Sequence, residues 1–210
     1  MTLVAAQPTA LERFNGQAFR VLLDCLARPG KIGQLPVPPI SGAPALPTGS
    51  APNLAAVAAC MSLLDQTVSF TQAVAGQWLA TDHPLTNWIA LRCNASPVVP
   101  SQADFALFHD PASLPLIGEL KPGTLLAPER SCTLFLCVPT IDAGDEVTLY
   151  LTGPGINGGV GVGLPGLKPS ELAVLAQRQP FPLGVDIFLI DRRARCLGLP
   201  RTTQIVVAIA

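Results

Sequence analysis

Over residues 9–28 apolar side chains return every three or four positions, so that Leu11, Phe14, Ala18, Leu22 and Cys25 or Leu26 fall on one side of a helical wheel. Thr9 and Glu12 stand at capping-box spacing and Pro29-Gly30 supplies the stop, which predicts a helix with one buried face. A second helix is predicted over 54–64 behind Asn53 as N-cap. Its sequence is apolar on every side, and burial all round is expected. Further helices are read near 85–93, near 113–120, and from 168 to about 179, where Lys168-Pro169-Ser170-Glu171 opens the last. Short β-branched and aromatic runs predict strands over 67–71, 103–108, 132–138, 147–152, 185–190, 196–199 and 204–209, with a polar turn at 191–195.

Helices alternating with strands define an α/β class with a mixed sheet, expected as one domain over 1–210. Two segments break the pattern. Residues 35–52 hold six prolines, Pro36, Pro38, Pro39, Pro44, Pro47 and Pro52, and read as a long crossing loop with room for a binding or interface role. Residues 153–166 are glycine-rich and read as a flexible or tightly turned loop.

Composition narrows the partners. Net charge is −1 and the 13 basic residues are scattered, which leaves no footprint for nucleic acid or an anionic membrane. The longest apolar stretch, around 54–64, falls short of the ~20 residues of a spanning helix. The start, Met1 to Pro8, has no basic n-region followed by a long apolar core, so a cytoplasmic protein is expected. The six cysteines, spread through a core-rich chain, read as free and mostly buried thiols.

Gly153-Pro154-Gly155-Ile156-Asn157-Gly158 fits G-x-G-x-x-G after a predicted strand, but more glycines follow where a phosphate-facing helix should begin, and a turned loop is the better reading. Cys132 and Cys137 point to opposite faces of one strand, and His83 and His109 lack ligand spacing, so no metal is expected. Each histidine is given a surface or loop-anchoring role. No nucleophile elbow, phosphate-loop lysine or Cys-His signature occurs, and Lys31, Lys121 and Lys168 sit beside Gly or Pro in loops, away from the desolvated pocket that a Schiff-base lysine needs. No cofactor is called for.

Asp186 lies in an apolar strand, where an unpaired carboxylate would cost several kcal/mol, so it needs a cation or several donors. Arg201, followed by Thr202, is one candidate partner. An internal pair organising a sheet edge is the favoured reading; an anion-binding pocket at the strand ends, gripping a phosphorylated small molecule, is the alternative. Arg20, on the first helix beside Phe19, poses the same choice.

Three stretches together resemble the PhnH family, the H subunits of bacterial carbon-phosphorus lyase core complexes. They are Phe19-Arg20-x-Leu22-Leu23 running to Pro29-Gly30, then Leu151-Thr152-Gly153-Pro154-Gly155-Ile156, and above all Phe181-Pro182-Leu183-Gly184-Val185-Asp186 followed by Leu199-Pro200-Arg201-Thr202-Thr203. The proline-rich and glycine-rich segments look particular to this chain. The resemblance implies a three-layer αβα fold related to pyridoxal phosphate-dependent transferases without the cofactor lysine. It also implies a homodimer in isolation and partnership with the G, I and J subunits, in a complex that prepares alkylphosphonates for cleavage and in which the H subunit has no assigned chemistry.

Overall fold

The computed structural model describes residues 7–142, 146–177 and 179–208. Helix α1 (Ala10–Ala27) begins where Thr9 Oγ1 accepts from the Glu12 backbone N–H at 3.2 Å and Glu12 Oε2 accepts from the Thr9 N–H at 2.6 Å. It buries Phe14, Ala18, Leu22 and Cys25. Leu11, expected on that face, is half-exposed at an open cavity that Pro39, Ile40 and Ser41 of the crossing loop also line. In α2 (Leu54–Met61) Asn53 Oδ1 accepts from the N–H groups of Ala55 and Ala56, and Ala55 to Cys60 are buried without interruption. That helix stops short of residue 64, since Leu63 and Leu64 tighten into turns on Cys60 and Met61. Helices α3 (Pro84–Cys93) and α4 (Pro169–Ala176) complete the set, while 111–119 is wound as a 3₁₀-helix capped by Asp110. Helix α4 stops at Ala176, short of the 179 expected, because Gln177 is already extended at the C-cap; Arg178 lies outside the described residues.

The strands are β1 (Ile32–Gln34), β2 (Ser69–Val74), β3 (Gln77–Trp78), β4 (Ser96–Pro97), β5 (Phe105–Phe108), β6 (Thr133–Cys137), β7 (Leu149–Thr152), β8 (Val160–Val162), β9 (Asp186–Ile190), β10 (Arg195–Leu199) and β11 (Gln204–Val207). Residues 209 and 210, into which the last strand was expected to run, lie outside the described residues. Eight strands form one mixed sheet in the order β1-β10-β9-β6-β5-β2-β3, with β4 also paired to β2. Its centre, β9-β6-β5-β2, is parallel; β10 and β1 extend it antiparallel on one side and β3 on the other. A second, antiparallel sheet runs β11-β7-β8.

Burial on both faces explains the unbroken apolar runs of the central strands. Along β6 and β9, Phe135, Cys137, Phe188 and Ile190 join the core under α1, α2 and α3. Their alternates Leu134, Leu136, Ile187 and Leu189 join a second core with Leu114, Leu151, Leu164, Leu172 and Ile205, covered by α4, the 3₁₀-helix and the small sheet. Glycine sets the spacing of the first layer. A Cβ on Gly198 would stand 2.6 Å from the carbonyl carbon and oxygen of Cys25, so its absence lets α1 lie directly on β10.

The proline-rich segment 35–52 has no helix or strand, yet it tucks Leu35 and Leu46 into the core beneath α1 and α2. The glycine-rich segment departs from expectation in part: 153–159 is turned, with Gly153, Gly155 and Gly158 at positive φ, but β8 follows as a strand. Val160 and Val162 flank a glycine whose Cβ would clash with Val147 at 2.8 Å, so the residue that looked like a loop signal is what allows the pairing with β7. Among the described residues, no helix is long and apolar enough to cross a membrane.

Candidate functional site

Asp186 opens β9, and Arg201 lies just beyond β10 in the turn before β11. The chain brings them together as a two-pronged pair: Arg201 Nη2 donates to Asp186 Oδ2 at 2.6 Å and Arg201 Nε to Oδ1 at 3.2 Å. The backbone N–H of Arg201 adds a third bond to Oδ1 at 2.7 Å, and Nη1 donates to the Pro128 carbonyl at 2.5 Å with a longer reach of 3.5 Å to that of Pro182. Side-chain exposure is 15% for the arginine and 21% for the acid. Every nitrogen of the guanidinium is thus engaged by the fold, which joins the start of β9, the end of β10 and two loops. A ligand anion would find most of its donors already taken.

Two cavities flank the pair. One of about 370 Å³ lies between Ile117, Leu175, Leu183 and Val185; the other, of about 570 Å³, is bordered by Phe181, Thr202, Thr203 and Ile205. Both are mainly apolar in lining. Thr202 is half-buried on the second, and the Thr203 hydroxyl beside it is buried without a partner. Arg20 stands exposed on α1, and among the described residues it shares no ion pair with Asp186.

The opposite end of the sheet carries a feature that sequence reasoning missed. There the carboxyl ends of β5, β6 and β9 open onto a crevice of about 640 Å³, reached by His109, Asp110, Val138, Arg192 and the start of α2 at Asn53. Crevices outside the carboxyl ends of parallel strands are where open α/β sheets bind ligands. Asp191 immediately precedes Arg192, which lines the crevice. This carboxylate, 1% exposed, accepts from the N–H groups of Ile141, Arg193 and Arg195 and from Arg195 Nε at 2.7 Å. His83 does anchor locally, as expected, accepting from the Leu85 N–H at the start of α3. His109 is different: burial holds its pKa at about 4, with His83 pushing the same way and Asp110 opposing. Burial also lifts Cys137, at the crevice edge, to about 12 and Cys93 to about 11, so neither is a thiolate at neutral pH.

A pH prediction follows from His109. In the unfolded chain the ring takes a proton near pH 6.5, but in the fold only near 4, so stability is complete above the upper value and falls as pH drops through the window. Urea titrations across that range should show a loss of up to ~1.4 kcal/mol per pH unit from this group, absent in His109→Gln. Equal slopes in both proteins would refute it.

Fold and site together describe a mixed α/β protein in which a partly buried acid and guanidinium lock one end of the sheet while a crevice opens at the other. The model of the bacterial phosphonate metabolism protein family (PhnH) matches residues 12–206, and the chain belongs to that family. It is also 34% identical over 195 residues, 91% of this chain and 90% of the relative, to the alpha-D-ribose 1-methylphosphonate 5-triphosphate synthase subunit PhnH of Rhizobium meliloti (strain 1021).

Proposed function

We propose that this chain is the H-type subunit of an alpha-D-ribose 1-methylphosphonate 5-triphosphate synthase, the carbon-phosphorus lyase core complex, and serves organic phosphonate catabolism as a structural or ligand-organising component. The observation that carries this reading is kinship along nearly the whole chain to a curated subunit of that synthase. The guanidinium of Arg201, held by the fold at all three nitrogens, supports a structural part for the Asp186 pair, with Thr202 beside it, over an anion grip. The finer reading places the protein in the cytoplasm, as a homodimer when alone and with G, I and J subunits when assembled. Exposed apolar side chains on α1, Phe19 and Leu23 one turn apart with Arg20 between them, suit a surface that meets a partner.

In this reading the fold is related to pyridoxal phosphate-dependent transferases without their cofactor chemistry. Lys31 is exposed and paired with Asp24, Lys121 is paired with Asp104, and Lys168 is exposed, so none has the dry pocket that activates an amine. Co-expression with the G, I and J subunits tests the assembly. The tagged chain is expected to retain at least one of them through purification, and failure to hold any would defeat the proposal.

A further inference from the structure

The crevice at the carboxyl ends of β5, β6 and β9 contains an atom whose state the surrounding hydrogen bonds determine. Thr86 Oγ1 lies 3.2 Å from the Ala80 carbonyl, which can only accept, so the hydroxyl donates there. It therefore receives the Gln72 Nε2 amide at 3.0 Å, and this turns Gln72 Oε1 toward His109 Nε2, also at 3.0 Å. Facing an acceptor, Nε2 must carry the ring proton. The imidazole is neutral at physiological pH, and Nδ1 is left as a bare lone pair. That nitrogen is fully buried and has no partner. A buried acceptor left unmatched costs about 1–3 kcal/mol, and native folds leave few of them.

His109 lines the crevice, and since Nδ1 has almost no exposed surface in this arrangement, an occupant supplies the missing donor by drawing the ring slightly toward it. Arg192 lines it too; the side chain is exposed, and none of the ion pairs among the described residues involves it. The acid on the same wall, Asp110, is already occupied: Oδ2 accepts from the Ala75 N–H at 2.6 Å, and Oδ1 from the N–H and hydroxyl of Ser113 at 3.1 and 3.0 Å. At the first turn of α2, Asn53 Oδ1 takes the amides of Ala55 and Ala56, while that of Leu54, which also lines the crevice, has no partner among the described residues. Asn53 Nδ2 is likewise committed, to the Asp191 carbonyl at 3.0 Å. Among the described residues three functions remain open on the crevice: an acceptor at His109 Nδ1, the amide of Leu54 and a cation at Arg192. A volume of about 640 Å³ is in the range of small-molecule sites.

We propose that this crevice binds a small hydroxylated anion of sugar-phosphate size, whose hydroxyl donates to His109 Nδ1 and whose phosphoryl group pairs with Arg192. The site is complete within one chain and does not depend on the assembly reading. It also lies at the opposite end of β9 from Asp186.

Two histidines make the test clean. Imidazole nitrogen spectra of the isolated full chain are recorded during titration with D-ribose 5-phosphate, D-ribose and inorganic phosphate, in wild type and in Arg192→Ala. The sugar phosphate is expected to move the Nδ1 resonance of His109 and leave those of His83 in place. Affinity should fall at least about tenfold for either half-molecule, and by a similar factor in Arg192→Ala, where an exposed side chain is removed without touching the core. A His109 signal that stays still with all three probes up to millimolar concentration would overturn the proposal and leave an ordered water as the partner of Nδ1. Equal affinity in wild type and Arg192→Ala would overturn it as well. Neither result bears on co-purification with other subunits, so the two readings fail separately.

Discussion

Arg201→Ala should cost about 3 kcal/mol of folding stability, measured as a shift in urea midpoint at unchanged slope. The loss arises because the substitution strands Asp186, one-fifth exposed, with a single remaining bond from the backbone of residue 201, and frees the Pro128 carbonyl as well. Breaking a fully buried pair by removing one member costs about 3–5 kcal/mol, and the residual exposure of both side chains puts this one at the lower end. Arg201→Lys should recover little of it, since an ammonium cannot span both carboxylate oxygens and the Pro128 carbonyl at once. The double variant Asp186→Ala with Arg201→Ala should be no less stable than Arg201→Ala alone, because the stranded charge is gone. A midpoint unchanged within error for Arg201→Ala would mean that the pair holds nothing together. Retained fold with lost ligand affinity would instead revive the anion-grip reading.

The Asp186 pairing was legible because its logic is local to one residue: a carboxylate within an apolar strand demands donors wherever they come from, and a guanidinium fifteen positions on was available to supply them. The major helices were legible for a similar reason, since Thr9 with Glu12 and Asn53 ahead of an apolar run announce their own starts. What stayed hidden depends on contacts between distant segments. β1, β3 and β4 are two or three residues long and carry no period to read, while β8 hides among glycines whose missing side chains are what let it approach β7. His109 gave no signal because its significance rests on Gln72, which the pairing of β2 with β5 brings to it, and on Thr86, which α3 brings to Gln72. The crevice is similarly non-local, assembled from strand ends far apart in the chain.

Asp191→Ala should be the most damaging single change, at about 4 kcal/mol. In sequence the residue heads a polar turn, Asp191-Arg192-Arg193-Ala194-Arg195, and looks like an ordinary solvated turn acid. In the fold it is buried, and its two oxygens accept four hydrogen bonds, from Arg195 Nε and from the N–H groups of Ile141, Arg193 and Arg195. Truncation removes both acceptor oxygens and all four bonds at once and leaves the Ile141 N–H, in the second core, without a partner. Asp191→Asn keeps one oxygen and should recover part of the loss, though it puts amide hydrogens toward the Arg195 guanidinium. Chemical denaturation of the three proteins checks the order, wild type above Asn above Ala; a loss under about 1 kcal/mol for the alanine variant would show that water replaces the carboxylate without difficulty. The same residue ties stability to the crevice. Its side chain shapes the turn that carries Arg192, and its carbonyl receives Asn53 at the start of α2, so Asp191→Asn should bind D-ribose 5-phosphate more weakly even at a temperature where it is fully native.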